Sequence, residues 1–208
     1  MYVDQPEGFI KQGEEDKVYK LNKALHGLKQ APRTWFNMKD CNSVKNPIVP
    51  GTVLSKEGEM SVNPTLYKQL VGSLMYVTVT RPDIMYVIGL TSRYMTDPKE
   101  EHMQIAKRVL RYLKGTLNFG LWYGRVDKLK LTAHTDSDYA RDIDDRKSIS
   151  GYVFMINNVA VNWSSKKQEI VSLSSTEAEY VAATASACHS VWIKEVLKLI
   201  LVRRYDRS

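Results

Sequence analysis

Between Pro64 and Gly115 apolar residues recur at helical spacing in three blocks, and after Gly120 the recurrence changes towards two. A chain that changes period once, late in its length, makes helices first and strands afterwards. That order predicts an α+β protein and excludes the regular βαβ alternation of a parallel sheet. In "NPTLYKQLVGSLMYVTVT" a stripe of Leu66, Leu70, Leu74 and Val77 is widened by Val71 and Met75, and Pro64 suits a first helical turn. "RPDIMYVIGLTSRYM" restarts at Pro82 and aligns Ile84, Val87, Ile88, Thr91 and Met95. "DPKEEHMQIAKRVLRYLKGT" restarts again, with Asp97 as N-cap, Pro98 at the first helical position and Gly115 as the closing glycine. Three helices that pack together are expected over residues 64–120.

Beyond Gly120, "LKLTAHTDSDYA", "ISGYVFMINN" and "VAVNWSSKKQ" alternate or are rich in β-branched and aromatic residues, and Asn157-Asn158 reads as a turn. An antiparallel three-stranded meander follows. From Thr176 to Leu201 a stripe of Val181, Ala185, Cys188, Trp192, Val196 and Leu199 predicts one helix about 40 Å long, with Ala182 and Ala183 small enough for close approach to a sheet. Ahead of the helices, residues 1–37 mix turn formers with the strand-like "KVYKL" and a Pro32 suited to opening a short helix. They carry too few apolar residues for a core of their own. Residues 38–63 are broken by Pro47, Pro50, Gly51 and Gly58 and read as a flexible linker.

Two groups of acids stand out. In "SLSSTEAEY" Ser174 is placed to cap the last helix, and Glu177 completes an S-x-x-E capping box, which leaves Glu179 without a structural duty. In "HTDSDYARD" alternation puts His134, Asp136 and Asp138 on one face of a strand, where like charges call for a cation or water nearby. Residue types alone leave two readings open, capping and solvation or part of a metal site. Lys107, Arg108, Arg111 and Lys114 likewise read as a solvated helix face or as a nucleic-acid groove.

The net charge of +7 favours an anionic partner, nucleic acid first. Cys41 and Cys188 lie far apart without a CxxC or His-rich context, so neither a zinc site nor a disulfide framework is indicated. "YVDQPEGF" after Met1 lacks the order of a signal peptide, and no apolar run reaches the ~18 residues of a membrane span. An intracellular, reducing setting, cytoplasmic or nuclear, with no membrane partner is the expectation.

The blocks "YKLNKALHGLKQAPRTWF", "LVGSLMYVTVTRPDIMYVIGLTSRYM", "HMQIAKRVLRYLKGT", "TDSDYARDIDDRKSISGYVFM" and "VNWSSKKQEIVSLSSTEAEYVA" resemble, in order, the polyprotein of copia-type retrotransposons. The resemblance covers nearly the whole chain. It implies that 1–37 is a late piece of the reverse transcriptase, that 64–120, beyond the 38–63 linker, is the helical connection, and that 121–208 is a truncated ribonuclease H-like domain, a meander plus one long helix. It further implies that Asp136 in "TDSDYA" and Glu179 in "TEAEY" match the family's first-strand aspartate and first-helix glutamate. There they help to hold two Mg²⁺ ions that cleave the RNA strand of an RNA–DNA hybrid.

Relatives add a further strand with a "CDNQSA"-like aspartate and a later carboxylate, and neither occurs before Ser208. Two acids alone bind Mg²⁺ weakly, because the ion keeps its waters unless several oxygens replace them. The family's polymerase aspartate upstream of "PEGF" and its "YVDD" box are missing too, and Asp4 in "YVDQ" reads as structural. The passage from "RTWF" to "MKDCNSVKNPI" at Asn37-Met38 implies an internal deletion or a spliced gene model.

The expectation is therefore a degenerate, catalytically inactive polyprotein fragment. Two alternatives stand beside it: a non-catalytic nucleic-acid-binding or interaction module, and a hybrid nuclease completed in trans. The first strand, without its parallel neighbour, is expected to be an open edge that self-associates, with apolar area uncovered on one face of the sheet. Arg141, where relatives have glycine, is expected to disturb its turn. Similar blocks occur in proteins catalogued as secreted pathogen effectors, but the opening residues argue against secretion.

Overall fold

The computed structural model describes residues 2–3, 19–20, 41–58, 60–124 and 129–205. Two short strands, β1 (Tyr2–Val3) and β2 (Tyr19–Lys20), pair antiparallel. Asp4 and the Pro32 helix lie outside the described residues. Three helices follow: α1 (Pro64–Val77), α2 (Met85–Thr91) between 3-10 turns Pro82–Ile84 and Ser92–Tyr94, and α3 (Glu100–Gly115). Then come β3 (Leu131–Asp138), β4 (Ile149–Ile156), β5 (Val159–Lys167) and α4 (Ser175–Tyr205). The class is α+β, with a three-stranded antiparallel sheet in the order β3-β4-β5.

The helical unit is built as its periodicity dictates. Asn63 caps α1 by accepting from the Thr65 and Leu66 amides (2.9 and 3.2 Å), and Pro64 fills the first turn. The stripe on α1 is rotated from the sequence reading: Tyr67 is buried in place of Leu66, because its hydroxyl donates to the Thr91 carbonyl (2.8 Å). Leu70, Leu74, Ile88, Met103, Val109 and Leu110 meet in one core.

Helix α3 begins later than expected. Residues 60–62 bond to 98–100 through Val62 N–H to Pro98 O (2.9 Å) and Glu100 N–H to Met60 O (3.0 Å), which holds Pro98-Lys99 extended. Asp97 pairs with Lys99 (2.9 Å) instead of capping, and the cap comes from His102. Gly115 is the last helical residue and has no positive φ. Its missing Cβ admits residues 43–44, since a Cβ would stand 3.0 Å from Ser43 Cβ.

Residues 41–58 and 60–63 form no helix or strand other than one bridge, and they are pinned to the helices. Leu54 is buried beside Leu90 and Tyr94, and Tyr94 Oη donates to the Leu54 carbonyl (2.9 Å). The buried His102 ring stacks on Tyr94 (centroids 3.9 Å, 19°). Its Nδ1 accepts from the Lys99 amide (2.9 Å), so Nε2 carries the hydrogen that faces the Ser55 carbonyl (2.9 Å). Burial pushes this imidazole below its ordinary pKa, against the pull of Ser55.

The unfolded chain therefore takes the proton first as the pH falls. Stability is lost below about pH 6.5 at up to about 1.4 kcal/mol per pH unit. Burial raises Asp83 and Asp142, but Arg81 and Lys167 hold both below the ordinary carboxylate range, so their contribution is lost only below about pH 4. Urea unfolding from pH 7 to 5 should show the decline, and a His102→Gln variant should flatten it; equal slopes would show that His102 is not its source.

Asn157 and Asn158 both have positive φ (48° and 68°), the left-handed pair that a two-residue β4-β5 hairpin requires. The turn after β3 departs from expectation. Positive φ falls on Ala140 (48°) and Arg146 (58°), not on Arg141, so no glycine is needed at 141; Arg141 instead sits 3.7 Å from Asp138. Helix α4, about 46 Å long for its 31 residues, packs on β3 and β4. Its sheet-facing side is Ala178, Ala182, Ser186 and Ile193, whereas Ala185, Cys188 and Trp192 are exposed. Small residues win there because close approach to the sheet matters more than apolar bulk. His189 follows the same side, touching Tyr152, Phe154 and the Asn162 amide oxygen (3.1 Å).

The other face of the sheet is not left bare. Helix α2 packs on β5, and the Trp163 indole donates to the Thr78 carbonyl (3.0 Å). Among the described residues β3 has a strand neighbour on one side only.

Candidate functional site

Strand register fixes where the β3 acids point. Directly opposed residues share a face, so Thr135 goes with Tyr152, which touches His189 of α4. Asp136 is opposed to Gly151, and His134 to Val153 and, through it, Trp163. His134, Asp136 and Asp138 therefore share one face, as alternation predicts, and it is the face turned towards the helical unit. Asp138 has Arg141 as its cation. Asp136 is exposed and joins no hydrogen bond or ion pair among the described residues.

Glu179 comes from the first turns of α4, on the opposite face of the sheet. The Glu177 amide donates to Ser174 Oγ (3.1 Å), so Ser174 is the N-cap. Glu177 reaches one residue further back than a standard box and accepts from the Leu173 amide (2.6 Å). That leaves Glu179 free of capping, exposed and without a hydrogen-bond partner among the described residues.

The residue that sets α4 against the sheet is Gln168, which the sequence reading missed. Buried after β5, it donates through Nε2 to Ser150 Oγ (2.9 Å), to the Ala178 carbonyl (2.9 Å) and more distantly to Ser137 Oγ (3.3 Å). Its Oε1 accepts from Ser172 Oγ (2.9 Å). One amide thus ties β3, β4 and the first turn of α4 together, and with them the elements that carry Asp136 and Glu179.

A second polar cluster joins the sheet to the helices. The carboxylate of Asp142, whose side chain is 2% exposed, accepts from Lys167 (2.7 Å), Arg93 (3.3 Å) and the amides of Asp144 and Asp145 (3.1 and 3.3 Å). Burial lowers the Lys167 pKa, but Asp142 and Asp145 together raise it above the ordinary lysine value. Asp144 in turn binds Ser55 Oγ (2.9 Å) and the Lys56 amide. The "DIDDRKS" acids are structural, engaged by cations and amides.

The basic side of α3 is largely engaged as well. Arg108 donates to Asn46, Arg111 to the Asn42 carbonyl (2.7 Å) and Lys114 to the Cys41 carbonyl (2.9 Å). These cations hold the preceding segment against the helix. Among the described residues no group of three or more His, Cys, Asp or Glu side chains could hold a metal ion, and no helix is long and apolar enough to cross a membrane.

The family model described as reverse transcriptase (RNA-dependent DNA polymerase) matches residues 1–59. The chain is 31% identical, over 310 residues, to the retrovirus-related Pol polyprotein from transposon TNT 1-94 of Nicotiana tabacum, covering 95% of this chain and 23% of that protein. It is 41% identical, over 168 residues, to the Pol polyprotein from transposon RE1 of Arabidopsis thaliana, covering 80% and 12%. It is also 44% identical, over 128 residues, to Secreted RxLR effector protein 161 of Plasmopara viticola, covering 61% of this chain and 90% of that protein. No solved structure matches.

The class is reverse transcriptase-related. More narrowly, the chain belongs to the copia-type retrotransposon Pol polyprotein family, and it spans less than a quarter of the length of the TNT 1-94 and RE1 polyproteins.

Proposed function

We propose that this chain is a ribonuclease H-like fragment of a copia-type Pol polyprotein that does not, by itself, cleave an RNA–DNA hybrid. The observation that carries this is the state of the two acids matching the family motif. Asp136 and Glu179 stand exposed and unpaired on β3 and α4, and among the described residues no group of three or more His, Cys, Asp or Glu side chains could hold a metal ion.

Mg²⁺ in such a site would orient the phosphate and activate water. Asp136 and Glu179 are the residues that would hold it, but Asp136 faces the helical unit and α4 lies on the other face of the sheet, so each offers only its own carboxylate. Mg²⁺ demands near-octahedral coordination and gives up water reluctantly, so two side chains leave most of its shell aqueous and its binding weak. An antiparallel meander with one long helix on β3 and β4 supports the ribonuclease H-like reading, because it is the arrangement that the motif order implies.

The alignment with TNT 1-94 supports an internal deletion. It runs over 310 residues against a chain of 208, so the relative carries roughly a hundred residues without a counterpart here. We place that deletion at the Asn37-Met38 junction and assign the chain no polymerase activity. Incubating a labelled hybrid with the protein and Mg²⁺ or Mn²⁺ tests the proposal; the expected result is no cleavage above the protein-free control.

A further inference from the structure

The helical unit does not fill the space over the sheet face that bears Asp136. A cavity of about 340 Å³ lies between them, with Met85 and Tyr86 on the helical side and His134, Asp136, Val153 and Trp163 on the sheet. That volume falls at the lower end of small-ligand sites, roughly 300–1,000 Å³. Its walls include a thioether, a branched aliphatic side chain and aromatic rings, with His134, Ser164 and Ser165 beside them. Asp136 is the one formal charge among the described lining residues, and neither Lys nor Arg is among them.

This composition discriminates between ligand classes. An anionic ligand would meet the Asp136 carboxylate with no Lys or Arg in the lining to compensate it. An organic cation with an apolar body meets the reverse: Asp136 has no competing partner among the described residues and can accept charge-assisted hydrogen bonds. Met85 and Val153 take the apolar body out of water, and the Tyr86 and Trp163 rings add attraction for the positive charge. We propose that this cavity binds small amphipathic organic cations of the arylalkylamine class, with the ammonium on Asp136 and the ring against Met85, Val153 and Trp163. The site shares Asp136 with the nuclease reading but does not rest on it, and binding is measured without divalent ions so that the two fail separately.

The test uses the full chain and three probes: phenethylamine, hydrocinnamate, which replaces the ammonium with a carboxylate, and methylammonium, the head group without the ring. In an NMR titration phenethylamine should shift the amides of residues 85–86, 134–136 and 151–153, with a Kd on the order of 1 mM. Hydrocinnamate and methylammonium should each bind at least about tenfold more weakly, because one loses the ion pair and the other the apolar contact. Asp136→Asn alters an exposed position and should fold normally; it should weaken phenethylamine about tenfold and bring amine and acid level. Equal binding of amine and acid to the unaltered chain, methylammonium as tight as phenethylamine, an unchanged affinity in the Asn variant, or no shifts at ten times the expected Kd would each overturn the proposal.

Discussion

Replacing Asp142 with alanine is expected to destabilise the chain by about 3–5 kcal/mol, the usual cost of leaving a buried ion pair half-made. The carboxylate lies in the turn between β3 and β4, almost wholly buried, with Lys167 of β5 and Arg93 of the helical unit both donating to it. Alanine would strand two cations whose side chains are only 25% and 14% exposed, and would also release the Asp144 and Asp145 amides. Asp144→Ala is the control. That side chain is exposed and bonds Ser55 and Lys56 at the surface, so its loss should cost less than about 1 kcal/mol. Urea unfolding of the two variants beside the unaltered chain gives both values. A loss below 1 kcal/mol for Asp142→Ala would mean that the helices and the sheet hold together without this cluster.

The second large effect is expected at Gln168. Gln168→Leu keeps most of the side-chain volume but leaves the Ser137, Ser150 and Ser172 hydroxyls without their buried partner, at a cost of about 2–3 kcal/mol. The damage should be local first. The amide bridges the sheet and the Ala178 carbonyl, so hydrogen exchange should accelerate in the first turns of α4, around Ala178 to Ala182, before it does so in α1 or α3. Uniform acceleration across the chain would show that Gln168 supports the whole core instead of positioning one helix.

Periodicity told most about the elements and least about their surroundings. The three helices, the meander and the Asn157-Asn158 hairpin follow from apolar spacing and turn chemistry, which are local properties. The sheet-facing side of α4 did not, because the helix is apolar over much of its circumference and its contact side uses Ala178, Ala182, Ser186 and His189, chosen for fit. His102 escaped notice for a related reason: a histidine three residues after Lys99 reads as a polar helix position until the Ser55 carbonyl and the Tyr94 ring arrive from distant sequence.

The acids divide in the same way. Ser174 and Glu177 announce a cap by their spacing, and Asp136 and Glu179 were singled out by motif. The structural carboxylate Asp142 and the bridging amide of Gln168 carry no local signal, since their partners lie about 20 to 50 residues away or across several elements. The Lys-Arg side of α3 carries a signal whose use depends on its surroundings. A run of cations suggests an anionic partner, but carbonyls and an asparagine of residues 41–46 take up three of them.

A working metal site needs more than the two acids Asp136 and Glu179. The direct measurement is cleavage of an end-labelled RNA–DNA hybrid by the purified chain in Mg²⁺ and, separately, in Mn²⁺, beside Asp136→Asn and Glu179→Gln variants. Intact hybrid is expected in every lane, indistinguishable from the protein-free control. RNA-strand cleavage by the unaltered chain that disappears in both variants would contradict it.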